Sequence, residues 1–155
     1  MMHHSTPYGF GTVVSRPYAE AVERVRDALS TEGFGIVSEI DMAATLRRKL
    51  GVETRPYVIL GACLPALADQ ALEVEPDVGL LLPCNIVVYA TDYPERTAVT
   101  ALDPEAALGL SENLALAPLA AEVTARLKRA LAASELDTAA GHHAAPAVEV
   151  AEEIC

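Results

Sequence analysis

The sequence predicts an α+β fold in which helices cover one face of a mainly antiparallel five-stranded sheet. Three observations lead there. Apolar residues recur first at strand spacing and then at helix spacing, in the order strand, helix, strand, short helix, strand, helix, strand, strand, helix. Glycine and proline fall at the joins between these segments. Two apolar runs, YVILGACLP from Tyr57 to Pro65 and GLLLPCNIVVYA from Gly79 to Ala90, each carry a cysteine beside a proline, and the other segments read as support for that pair.

The 155 residues suit one domain, expected over residues 1–133, with a flexible Ala- and Glu-rich tail over 134–155. Eleven basic residues against 22 acidic ones give a formal charge of -11, which argues against broad contact with nucleic acid, where clustered Lys and Arg are needed. The apolar runs fall short of the roughly 20 residues of a membrane span. MMHHSTPYGF at the start lacks a signal-peptide layout, so no membrane contact and a cytoplasmic location are the expectation. Three cysteines cannot all pair within one chain, and free thiols are expected in a reducing compartment.

Phe10 to Ser15, rich in Thr and Val, reads as the first strand. Pro17 opens a helix with Val22, Val25, Ala28 and Leu29 on one face, and Gly33 closes it. Gly35 to Ile40 is the second strand. Asp41 caps a short helix, Met42 to Leu50, with Met42, Leu46 and Leu50 on a common face and Gly51 at its end. Its Arg47, Arg48 and Lys49 suit a solvated face near the negative end of the helix dipole.

Tyr57 to Ala62 is the third strand, apolar enough for burial on both faces. A helix opens at Pro65 with Ala68, Ala71 and Leu72 inward, and Pro76 and Gly79 turn the chain out of it. Leu80 to Ala90 is the fourth strand, bent at Pro83, since proline donates no hydrogen bond to a sheet ladder. Tyr93 to Arg96 is turn material leading into the fifth strand, Thr97 to Leu102, in a hairpin with the fourth. Asp103 and Pro104 start a short helix to about Leu108. The last helix begins at Ser111 or Ala117, runs to Ala133, and carries Leu116, Ala120, Val123, Leu127 and Leu131 on its apolar face.

If the first four strands follow the ferredoxin-like split β-α-β pattern, the third and fourth run parallel with the first between them, and the C-terminal helix is an addition to that core. Open sheet edges are often paired by a second copy, so a homodimer is expected.

GFG at Gly33 to Gly35, EIDMAATLRRKLGV at Glu39 to Val52, YVILGACLP, ALEVEPDVGLLLPCNIVV at Ala71 to Val88 and ALDP at Ala101 to Pro104 keep the order and spacing of the domain of unknown function 302 family, which the chain resembles from about Tyr8 to Ala133. The resemblance implies a compact, dimeric α/β domain and brings no agreed activity. The family pattern places Asn after the first cysteine, where this chain has Leu64. The second block, Pro83, Cys84 and Asn85, stands intact.

Cys63 leaves a strand directly before a helix, whose N-terminus would favour a thiolate and lower the pKa from its usual ~8.5. Cys84 follows an expected bend at Pro83, of the kind that can turn a side chain toward a pocket, with Asn85 offering an amide beside it. In the ferredoxin-like arrangement the two thiols lie ~10 to 20 Å apart at about 3.3 Å per residue. If the segment before Pro83 folds back, or a dimer partner intervenes, they share one hollow at the sheet margin.

Ligand or redox candidates are therefore Cys63, Pro65, Pro83, Cys84 and Asn85, with Arg16, Arg55 or Tyr57 as further lining and a soft metal on Cys63 and Cys84 as the one cofactor suggested. No histidine occurs between His4 and His142, which removes the commonest general base from the folded region. His3, His4, His142, His143 and Cys155 read as incidental, and the glycines form no phosphate loop.

Three functions remain open on the sequence alone. One is a small-ligand or soft-metal binding domain, or a thiol redox centre, at Cys63 and Cys84. Another is a non-catalytic structural or dimerisation module with core cysteines, since free cysteine often simply packs. The third is a cysteine-dependent enzyme.

Overall fold

The computed structural model describes residues 4–136. Residues 137–155, with His142, His143, Cys155 and nearly all of the expected tail, lie outside the described residues, as does His3. The chain runs β1 (His4–Thr6), β2 (Gly9–Val14), α1 (Tyr18–Thr31), β3 (Gly35–Asp41), α2 (Met42–Leu50), β4 (Tyr57–Cys63), α3 (Pro65–Val74), a 3-10 segment (Pro76–Leu81), β5 (Cys84–Ala90), β6 (Thr97–Leu102), α4 (Pro104–Gly109), a 3-10 turn (Leu114–Leu116) and α5 (Ala117–Glu135).

The sheet has six strands in the order β1-β2-β6-β5-β4-β3, every neighbour antiparallel. The five expected strands are all present. The sixth, β1, pairs His4 to Gly11 and Thr6 to Gly9. It left no mark in the sequence because a three-residue edge strand is held by backbone hydrogen bonds and needs no apolar alternation.

Strand pairing departs from the ferredoxin-like split pattern. β4 lies beside β5, antiparallel, with Ala62 opposite Cys84, and β2 pairs instead with β6. The physical reason lies in the segment between β4 and β5. α3 and the 3-10 segment do not carry the chain to the far end of the sheet; they bring it back to the end it left, so the connection is a long hairpin rather than a crossover. The sheet therefore has an upper end, at Cys63, Cys84 and Leu102, and a lower end, at Tyr57, Ala90 and Thr97.

Alternation along the strands sends one set of side chains to a core with α1 and α5. Phe10 and Val14 of β2, Val58 and Leu60 of β4, Ile86 and Val88 of β5, and Val99 of β6 meet Val25 and Leu29 of α1 and Leu127 and Leu131 of α5. A smaller core at the upper end joins Ala71, Val78, Leu108, Leu116 and Ala120.

Element boundaries shift where local chemistry overrides periodicity. Leu80 and Leu81 belong to the 3-10 segment, so β5 starts at Cys84, after the cis Leu82–Pro83 peptide and past a residue with no N–H for the ladder. α2 is capped as expected by Asp41, which accepts from the Ala44 N–H at 2.9 Å. It buries Ala43 and Thr45, and Leu50 is 69% exposed because the last turn runs off the sheet. Ala71 of α3 is buried as expected, whereas Leu72 faces solvent and Leu67 packs on the main core instead. α5 starts at Ala117, behind the 3-10 turn that Asn113 caps, and runs two residues beyond Ala133.

Candidate functional site

Cys63 is the last residue of β4 and Cys84 the first of β5. Because Ala62, not Cys63, stands opposite Cys84, the thiols are one register step apart at the same end of the sheet. The wide separation expected for a split arrangement is thereby replaced by proximity, and each cysteine lies within electrostatic reach of the other. Both line a hollow of about 40 Å³ whose walls include Phe34, Leu64, Leu67 and Pro83. That volume takes about one water. Ligand pockets run to roughly 300–1,000 Å³.

The electrostatics oppose a thiolate. Burial raises the Cys63 pKa above its ordinary value, and pushes Cys84 up to about 11, with the neighbouring Cys63 adding to it. The expected lowering at Cys63 does not occur. Leu64, not Cys63, is the N-cap of α3, and a helix terminus is worth ~0.3–1 kcal/mol, less than the loss of water around a charged sulfur. The Leu64 side chain gives α3 no cap hydrogen bond and is buried in the main core.

Pro65 opens α3 and Pro83 lies against Gly61, whose Cβ, if present, would sit 2.8 Å from the proline ring. Among the described residues no group of three or more His, Cys, Asp or Glu is placed to hold a metal ion. Two thiols are half of a structural zinc set, so the donors around Cys63 and Cys84 do not fit a closed thiolate centre.

The remaining candidates are dispersed. Arg16 is buried at the lower end, donating to the Leu136 carbonyl at 2.7 Å and to Glu20 Oε1 at 2.8 Å. Arg55 donates to the Ala90 carbonyl at 3.0 Å, also at the lower end. Tyr57 stacks on Tyr89, ring centres 5.3 Å apart. Asn85, next in sequence to Cys84, points to the other face of the sheet.

That outer face is what the cysteine-centred reading missed. Its positions are Gly9, Gly11 and Val13 of β2, Ala98, Thr100 and Leu102 of β6, Asn85, Val87 and Tyr89 of β5, Tyr57, Ile59 and Gly61 of β4, and Ser38 and Ile40 of β3. None is charged, in a chain where Asp, Glu, Lys and Arg make up 21% of residues. A groove of about 300 Å³ lies on it, walled by Thr6, Tyr8, Tyr57, Asn85, Tyr89 and Thr100 among others, with no helix residue in its lining. The signal was available in the sequence: the odd-numbered positions from 85 to 89 and the even-numbered ones from 98 to 102 carry no charge.

The fold and site define a small α+β domain with a one-sided antiparallel sheet, two protonated thiols at one end and an uncharged open face. The family model for a domain of unknown function, DUF302, matches residues 10–134, and the chain belongs to that family. It is similar to a crystal structure of an uncharacterised conserved DUF302 protein from Bacillus stearothermophilus, at 30% identity and a TM-score of 0.75, over 82% of this chain and 98% of that one. A search of curated proteins finds no match. Among the described residues no helix is long and apolar enough to cross a membrane.

Proposed function

We propose that the domain is a non-catalytic homodimerisation module, with Cys63 and Cys84 as packing residues and the outer sheet face as the contact between copies. The uncharged face carries this reading. Two chains of formal charge -11 repel, and they approach at least electrostatic cost through a surface that bears no charge itself. The edges offer less. β1 is three residues long, and β3 is interrupted by a bulge between Ile36 and Ser38 and carries Glu39 and Asp41, features that discourage strand addition.

Sedimentation analysis over the micromolar range tests this. A dimer that Val87→Glu converts to monomer supports the proposal. A wild-type monomer throughout, or a dimer indifferent to that charge, overturns it.

A second reading, small-ligand binding, moves from the thiols to the outer groove. The Asn85 amide makes no hydrogen bond among the described residues and lines the groove together with the stacked Tyr57 and Tyr89. Stacked phenols and a neutral amide suit an uncharged planar ligand. Saturable binding of such compounds, lost in Asn85→Ala, would favour it over dimerisation.

A further inference from the structure

The upper end of the molecule carries a second surface, independent of the sheet face. α4, the 3-10 turn Leu114–Leu116 and the start of α5 enclose a groove of about 330 Å³ with Leu108 and Leu116 in its floor and Leu114, 88% exposed, at its rim. Leu110 at the end of α4 is also 75% exposed. Isolated exposed leucines are ordinary, but Leu114 on the rim of a groove floored by Leu108 and Leu116 forms an apolar patch of the kind that marks contact sites.

Its charge is one-sided. Glu105 and Glu112 line the groove, and no Lys or Arg occurs between Arg96 and Arg126 in the sequence. The adjoining connection between β4 and β5 adds Asp69, Glu73, Glu75 and Asp77, again without a base, and Asn113 ties the two together by donating to Glu75 Oε1 at 3.3 Å.

We infer that this groove docks a basic amphipathic helix of a partner protein, which lays leucine-like anchors beside Leu114 and its Lys or Arg residues against Glu105 and Glu112. The chain's own residues 137–155 are a poor occupant, since they contain four acids and no Lys or Arg. The chain's longest base run, Arg47 to Lys49, follows β3 at the lower end of the sheet and cannot reach the groove within one chain.

A synthetic helix of Leu and Lys, about four turns long, serves as the probe, with a scrambled peptide of equal composition as control. Fluorescence anisotropy on the full chain should show saturable binding, weaker by about tenfold for the scrambled peptide. The double variant Leu114→Ser, Glu112→Lys should lose a similar factor, while Leu50→Ser, at another exposed leucine but at the lower end, should not. Equal binding of both peptides, or no effect of the double variant, overturns the proposal. So does a self-association, without peptide, that the double variant abolishes, because the occupant is then a second copy. Circular dichroism of each variant separates loss of docking from loss of fold.

Discussion

Cys84 stands opposite Ala62, so Cys63 extends one residue beyond the pairing and the two thiols meet at the end of the sheet without facing each other across it. Burial keeps both protonated near neutral pH. Alkylation by iodoacetamide at neutral pH should therefore be slow at Cys63 and undetectable at Cys84 until denaturant is added, as read by mass spectrometry of peptides. Rapid labelling of Cys63 near pH 7 would restore the thiol-enzyme reading.

The raised Cys84 pKa has a sign. As pH rises the unfolded thiol, with a pKa near 9.0, loses its proton before the folded one at about 11. Its contribution to stability is thus complete below pH 9 and disappears through about pH 11, roughly 2–3 kcal/mol in all. Tyr18, pushed to about 12 chiefly by burial and then by Asp41, adds a loss in the same direction at higher pH. Urea titrations at pH 8 and pH 10.5 should show this fall in the wild type and a smaller one in Cys84→Val.

Arg16 joins the end of β2 to the end of α5. Its guanidinium donates to the Leu136 carbonyl at 2.7 Å, and its own carbonyl accepts from Thr97 Oγ1 at 2.8 Å. Thr12 Oγ1 also bonds Glu135 on the last turn of α5. Arg16→Met should cost about 2–4 kcal/mol by removing the nearer of the two donors to the Leu136 carbonyl, Arg24 at 3.4 Å being the other, together with the partner of Glu20, and Arg16→Lys should recover less than half, since one ammonium cannot span both acceptors. Truncation after Ala133, which removes Glu135 and Leu136, should lower stability, as thermal melts would show.

Leu64→Asn sets two effects against each other. The new side chain caps α3, worth about 0.5–2 kcal/mol, and removes a buried leucine, worth about 1.5–3 kcal/mol. A net loss of the order of 1 kcal/mol is expected. Net stabilisation would mean that the core closes over the gap.

Element order was legible because strands such as Tyr57–Cys63 and helices such as α1 bury long, regular apolar sets, and caps such as Asp41 and Asp103 mark their starts. Strand order was not. Nothing local distinguishes a crossover from a hairpin when the 20 residues between Cys63 and Cys84 contain a helix in either case. The thiols' proximity follows from that undetermined step, and their protonation follows from packing by Phe34 and Leu67, distant in sequence from one or both cysteines. The outer face went unnoticed for a different reason. Chemistry draws attention to reactive residues, whereas this face is defined by what its alternate positions lack.

The hydrogen bonds that hold Leu136 also fix its place in the body. α5 descends from the leucine-rimmed groove to Arg16, so Leu136 stands at the opposite pole from that groove. A purification handle or surface-immobilisation tag placed there would leave the groove unobstructed, and the domain could be tethered by its base for pull-down work without masking the end where a helical partner would land.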